Sequence, residues 1–255
     1  MELEMDSPVS FQKTEHVALI TLLKPWIDLA AAQELAAIAA NVNADPDISV
    51  VMLSGSNGCF CRGGDSRQIL TVLSEQPAVL SMGPAEAIAA INVPTLAAVD
   101  GEALGIGLEL ALACDLRLAS ERSSFGLTQI GEGTLPMDGG TQRLPRVVGR
   151  GKAAEMVLTG EVLDASQAFD AGLVNKIVSS EKLQTEAQNL AKTLAAKAPF
   201  ALRYCKEAVN KGLDLTLDQG LRLEADLYFL LHTTSDRTEG IKSFLARKAP
   251  EYKGQ

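Results

Sequence analysis

Residues 94–120 read PTLAAVDGEALGIGLELALACDLRLAS. The run 94–100 (PTLAAVD) is short, apolar and continuous. That is the pattern of a strand buried on both faces of a parallel sheet. A glycine-rich turn follows at 101–107 (GEALGIG), and 108–113 begins an apolar helix. Residues 116–119 read as the next short strand. Glu109 falls in the first turns of that helix, among Leu108, Leu110, Ala111 and Leu112. An unpaired carboxylate there is costly. Burial raises a carboxyl pKa and makes the group usable as an acid or base near neutrality. The other reading is a glutamate that complements the positive end of the helix dipole.

Outward from this stretch the pattern repeats. Residues 17–23 (VALITLL) read as a strand stopped by Lys24-Pro25. Residues 28–43 have helical spacing with Asp28 as N-cap, and 48–55 (ISVVMLSG) form a second parallel-type strand. A second glycine-rich loop, 57–65 (NGCFCRGGD), opens a further helix, 84–91 is another helix, and 124–126 a short strand. Strands alternating with helices predict an α/β fold. Beyond Gly149 the periodicity over 151–250 is mostly helical, with loops near Gly160, Gly172 and Pro199. This predicts a C-terminal helical layer used for oligomer contacts.

Composition narrows the function. The 255 residues are 47% hydrophobic and 22% charged, as in a folded protein with a large core. The net charge of −9 argues against nucleic acid as a partner, although one local basic patch can still hold a small anion. Cys59, Cys61, Cys114 and Cys205 are too few for a disulfide scaffold and predict reduced thiols in a cytoplasmic setting. His16 and His232 lie far apart, so no metal site is expected. The opening MELEMDSPVSF lacks the order of a signal peptide. Asp100, Glu102, Glu109 and Asp115 interrupt the longest apolar run, so no membrane span or membrane partner is expected.

Two glycine turns that each open a helix can present backbone N–H groups to one oxygen, as an oxyanion hole does. They can equally be ordinary helix-opening turns. Neither is a phosphate loop of the Walker type, because GDSRQ lacks the Lys-Ser/Thr pair. GEALGIG has the wrong glycine spacing for a dinucleotide fingerprint.

The stretches CFCRGGD (59–65), residues 94–120, FGLTQIGEGTLPMDGGTQRLPRVVGRGKAAEMVLTG (125–160), AFDAGLVNKIV (168–178) and DRTEGIKSFLARKAPEYKG (236–254) resemble the crotonase superfamily, the enoyl-CoA hydratase/isomerase group. The resemblance runs through nearly the whole chain in register. It implies a crotonase-like α/β spiral of ββα units over 1–195 and a helical trimerisation region over 196–255. It also implies an acyl-CoA substrate, with CoA entering only as part of that substrate, no permanently bound cofactor, and a homotrimer or dimer of trimers. The oxyanion donors would be the backbone N–H groups of Gly64 and Ile106. At the latter position family members often have glycine. Substrate contacts would come from Lys24, Trp26, Ile27, Arg62, Gly64, Asp65, Ser66, Leu104, Gly105, Thr128 and Pro136. Trp26 would lie against adenine or pantetheine, or else plug the core. Phe244 and Lys248 match positions that approach CoA from a neighbouring subunit, although a solvated helix end explains Lys248 as well.

The chain departs from the resemblance at one decisive place. Hydratases of the group carry a second glutamate in FG-x-P-E. Here the segment reads Phe125-Gly126-Leu127-Thr128-Gln129. An amide can hold a water but cannot exchange a proton at useful pH. Two carboxylates follow as candidates for the missing acid, Glu132 and Asp138. Solvent exposure is the simpler reading of Glu132, and a turn position before Gly139-Gly140 that of Asp138. Three functions are therefore expected to compete. One is a hydratase-like lyase using Glu109, with Gln129 orienting water. Another is an enoyl or dienoyl isomerase using Glu109 and Asp138. The last is a catalytically weak acyl-CoA-binding paralogue.

Overall fold

The computed structural model describes residues 7–64 and 83–255. Strands β1 (Val9–Thr14) and β2 (Val17–Leu22) form an antiparallel hairpin whose register closes on Thr14 and Val17. Helix α1 (Leu29–Ala44) then crosses to β3 (Val50–Gly55), which pairs parallel with β2. Asp28 caps α1, its carboxylate accepting from the Ala31 N–H at 2.8 Å. Such a cap contributes about 1 kcal/mol. Next come α2 (Pro84–Ala89), β4 (Thr95–Val99), β5 (Glu102–Leu104), α3 (Ile106–Ala113), β6 (Leu116–Ser120) and β7 (Ser124–Gly126). A 3-10 turn (Thr128–Glu132) leads to α4 (Gly140–Val148), α5 (Arg150–Thr159), β8 (Val162–Asp164), α6 (Ala165–Asp170) and β9 (Lys176–Val178). The chain ends in α7 (Ser180–Ala195), α8 (Pro199–Gly212), α9 (Leu217–Leu231) and α10 (Ser235–Ala246).

Two sheets result. The larger has the order β1-β2-β3-β4-β6-β9 and the smaller β5-β7-β8. The circuit that starts at β4 lays one strand in the larger sheet, turns, lays a shorter strand in the smaller sheet, and returns by a helix. β4-β5-α3 is one such ββα turn and β6-β7 begins the next. The segment after β3 joins the smaller sheet through the Cys61–Ala103 bridge. The strands β3 and β4 are buried along their length. Phe60, Phe125, Leu53 and Leu108 fill the space between the layers. Each such side chain contributes roughly 1.5–3 kcal/mol by leaving water.

α7 covers the outer face of the larger sheet, where Leu183 and Ala187 meet Met52, Leu96, Ala98 and Leu118. The buried Arg117 ties this layer to α3. It donates to the carbonyls of Ala111, Cys114 and Leu173 and so closes the C-terminal end of α3. Lys206 on α8 pairs with Asp115 at 2.8 Å and donates to the Val93 carbonyl. Leu217, Leu221, Phe229, Phe244 and Leu245 on α9 and α10 lie exposed.

Several elements differ from the sequence expectation. β1 was not expected, because four of its six positions are exposed and carry no apolar alternation. β5 lies inside the expected glycine turn. β8 and β9 lie within the stretch read as helical. The helix expected after 57–65 falls outside the described residues, as do Asp65 and Ser66. No described helix is long and apolar enough to cross a membrane. Among the described residues no group of three His, Cys, Asp or Glu is placed to hold a metal. All four cysteines are free thiols.

Candidate active site

The turn 61–64 and the start of α3 are held together by backbone pairing. Cys61 N–H donates to Glu102 O at 2.8 Å, Leu104 N–H to Cys61 O at 2.9 Å, and Ile27 N–H to Gly63 O at 2.9 Å. Two glycines permit the close approach. A Cβ on Gly107 would fall 2.2 Å from the Cys61 carbonyl oxygen. Gly105 has φ 53, open only to glycine at its ψ of −121, and its Cβ position lies 3.6 Å from the Gly63 Cα. Among the described residues, the N–H groups of Gly64 and Ile106 find no acceptor. For Ile106 this follows from its place as the first residue of α3, whose leading amides have no partner within the helix.

One turn into α3, Glu109 is 1% exposed. Its Oε1 accepts two backbone N–H bonds, from Asp138 and Gly140, both 2.8 Å. Its Oε2 accepts from Gln129 Nε2 at 3.2 Å. Burial pushes the Glu109 pKa up. The two amide bonds and the Arg143 charge oppose that rise, and the Asp138 charge adds to it, leaving it above the ordinary carboxyl value. Gly140 is needed here, since a Cβ would sit 3.0 Å from Glu109 Oε1 and 2.8 Å from the Pro136 Cβ. Gln129 lies across from Gly105, its Nε2 3.7 Å from that glycine's Cβ position. The Gln129 Oε1 is buried without a partner. A buried acid therefore stands beside two unpartnered main-chain donors and one unpartnered amide oxygen.

A sequence model of the enoyl-CoA hydratase/isomerase family matches residues 12–255. The chain belongs to this family. The Bacillus subtilis relative YngF, which carries the family's name, is 39% identical over 98% of this chain and 99% of its own. The (E)-benzylidenesuccinyl-CoA hydratase of Thauera aromatica is 36% identical over 97% of this chain and 99% of its own. The crystal structure of the Bacillus anthracis enoyl-CoA hydratase superposes with a TM-score of 0.93 at 36% identity, covering 97% of this chain and all of that one (100%). The ββα spiral is thus the crotonase fold, and the protein is an enzyme of the enoyl-CoA hydratase/isomerase family.

Within this family member the remaining candidate residues take distinct places. Glu132 lies exposed in the 3-10 turn with no side-chain hydrogen bond among the described residues, outside the cradle of Glu109. Asp138 is 8% exposed, and both its carboxyl oxygens are engaged by α2: Oδ2 accepts from Ala85 N–H at 2.5 Å and Oδ1 from Glu86 N–H at 3.1 Å. Each oxygen of the aspartate expected to pair with Glu109 in proton transfer therefore already accepts one bond from α2. Only the Asp138 main-chain N–H reaches Glu109.

Lys24 pairs with Asp28 at 3.2 Å and stays part-exposed. Trp26 is 45% exposed and does not plug the core, while Ile27 is buried and bridges to Gly64. Arg62 pairs with Glu102 at 2.5 Å. Leu104 and Thr128 are half-buried and Pro136 is buried beside Gly140. Phe244 is 82% exposed and Lys248 is exposed just beyond α10. Sequence reading missed the amides of Asp138 and Gly140 as donors to Glu109, and Arg143 behind them. The Gly139-Gly140 pair was the available signal, since two glycines in a loop leave room for a neighbouring backbone or carboxylate.

Proposed function

We propose that the protein is a hydratase-like lyase that adds water across the α,β double bond of an enoyl-CoA. The Gly64 and Ile106 N–H groups hold the thioester oxygen. Glu109 activates water, and Gln129 orients that water in place of a second acid. The supporting observation is the division of labour on the Glu109 carboxylate. Two short amide bonds occupy Oε1, whereas Oε2 has one longer donor and a free lone pair. Beside it stands the unpartnered Gln129 Oε1. In the proposed arrangement the substrate water gives one hydrogen to each of these two acceptors.

In the reaction, Glu109 Oε2 takes one proton as the water oxygen bonds to Cβ. The π electrons move through Cα onto the thioester oxygen, where the two amides stabilise the charge. The enolate then collapses, and Cα takes the proton back from Glu109. No second acid is consumed, which suits an amide at 129 and a solvent-facing Glu132. Lys24, Trp26, Arg62 and, across a subunit boundary, Phe244 and Lys248 would bind CoA. The exposed apolar residues of α9 and α10 suit a homotrimer or dimer of trimers.

Crotonyl-CoA hydration, followed as loss of enoyl absorbance, tests the reading. Turnover is expected, with kcat lowered about 10–100-fold in Gln129→Leu, toward the lower range for loss of a catalytic group. Tight binding of CoA esters with no hydration across a panel of chain lengths would replace this reading with a binding-only protein. An unaffected Gln129→Leu enzyme would remove Gln129 from the water site.

A further inference from the structure

Asp138 is clamped at every polar group it owns. Its N–H donates to Glu109 Oε1, its carbonyl accepts from Arg143 Nη1 at 2.7 Å, and its carboxylate spans the first two free amides of α2. α2 opens with Gly83 as N-cap and Pro84 at its first position, so it has no capping side chain of its own. Asp138, more than fifty residues away in sequence, supplies that cap from outside. Gly83 is shaped for it, because a Cβ there would lie 2.0 Å from Asp138 Oδ1. The second nitrogen of Arg143, Nη2, reaches Glu86 on α2 at 3.0 Å and completes a ring that joins α2, the 136–140 loop and α4.

We propose that Asp138 is a positioning residue for Glu109. By capping α2 it fixes the loop whose two amides hold Glu109 Oε1, and it transfers no proton itself. This rests on the reading of Glu109 as the water-activating base. The physics favours it over a proton-donor role. Burial raises the Asp138 pKa and the two amide bonds and Arg143 oppose that rise, so geometry decides: releasing the carboxyl group to the substrate would leave both α2 amides unpaired. A loop held from three sides also keeps the Asp138 and Gly140 N–H groups pre-aimed, so that Glu109 needs no reorganisation as its charge changes.

The charged groups around Glu109 are Asp138 in the loop and Arg143 on α4, with Glu86 on α2 facing Asp138 and paired to Arg143. Asparagine keeps one acceptor, enough to cap the Ala85 N–H and leave the longer Glu86 bond to lapse, but carries no charge and donates no proton as an acid. Asp138→Asn should therefore keep kcat within about threefold. It also removes a like charge beside Glu109, so the Glu109 pKa falls and the acid limb of kcat/KM moves to lower pH. Asp138→Ala leaves the α2 amides unpaired. It should lower kcat about 10–100-fold with KM within twofold, the pattern of a displaced catalytic group.

Carboxyl titration of Glu109 by 13C NMR, assigned with Glu109→Gln, reads the same shift without turnover. It remains decisive if the wild-type protein hydrates no enoyl-CoA. That result would end the hydratase reading and leave the positioning role to be judged on the titration alone. The proposal is overturned if Asp138→Asn is as inactive as Asp138→Ala while folded. It is also overturned if Asp138→Ala matches the wild type, or if the Glu109 titration is the same in all three proteins.

Discussion

Glu109→Gln separates chemistry from packing in this site. The substitution keeps the shape of the side chain, and its amide oxygen can still accept from the Asp138 and Gly140 N–H groups, each now 2.8 Å from Oε1. The new NH2 group would then face Gln129 Nε2, 3.2 Å from the present Oε2. Rotation of the Gln129 amide by half a turn resolves that clash of donors. It also gives the buried, unpartnered Gln129 Oε1 its first hydrogen bond. The turn breaks the Gln129 Nε2 bond as it makes the new one, and it leaves Nε2 where the unpartnered oxygen was, so hydrogen bonding contributes no net stabilisation.

Removing the charge does change stability. Burial raises the Glu109 pKa in the fold, so the unfolded chain ionises first as pH rises, and the folded state loses stability through that interval. The variant escapes this loss at pH 7 and matches the wild type in acid, where both are neutral. For a chain of this size, each kcal/mol shifts Tm by about 2–4 °C. The expected result is a Tm raised by a few degrees at pH 7 and less at pH 4. Hydration should slow by about 10²–10⁴-fold, which is about 3–5 kcal/mol in the barrier. Calorimetry at the two pH values and crotonyl-CoA turnover on the same protein supply the assay. Full activity in the variant refutes Glu109 as the base. A lowered Tm at pH 7 refutes the raised pKa of Glu109.

Three further outcomes follow from the same geometry. Gly107→Ala places a methyl 2.2 Å from the Cys61 carbonyl oxygen and must part the two turns that carry the Gly64 and Ile106 amides; kcat should fall about 10²–10³-fold, as for a lost oxyanion donor, measured by steady-state hydration. In the wild type, Glu109 must be ionised to accept a proton, so the acid limb of the kcat/KM profile should lie above the ordinary value of 4.5. Arg117→Met removes donors to three buried carbonyls at the end of α3; a loss of about 2–4 kcal/mol is expected, read as a lower urea midpoint at unchanged slope, with turnover per folded molecule retained.

The fold was legible where a strand or helix is long enough to display a period. α1 and its Asp28 cap, β2, β3, β4 and α3 all stand within a few residues of their expected bounds. β5, β8 and β9 are three residues each, too short for alternation to register. They exist because a neighbouring strand offers free backbone groups. β1 is an edge strand whose exposed Phe11, Gln12 and Lys13 resemble loop residues. Its pairing with β2 is set by the tight turn around Glu15 at φ 52.

The site divides along the same physical line. Glu109 was legible because a lone carboxylate in an apolar helix demands an explanation, and Gln129 because it interrupts a motif. The cap from Asp138 to α2 was not legible, since PMDGG and GPAE lie far apart and each reads as an ordinary turn. Only the folded chain shows that the aspartate's side chain and main chain serve different masters. One faces α2 and the other faces Glu109.

Gln129 shows how one atom changes what such a site can do. A glutamate there would set two carboxylates about 3 Å apart, and like charges that close cannot both ionise. Such a pair shares a proton and can act as base and acid at once. With an amide at 129, the Glu109 anion instead receives a hydrogen bond, and in the proposed mechanism the proton delivered to Cα is the one Glu109 itself has taken. Hydration in that mechanism is then sequential on a single carboxylate, with water deprotonated and Cα protonated by the same oxygen on the same face of the substrate. In D2O the product should carry deuterium at Cα, delivered syn to the new hydroxyl. Anti delivery, read from the product's NMR coupling constants, would require a proton donor on the opposite face and would defeat the single-acid mechanism.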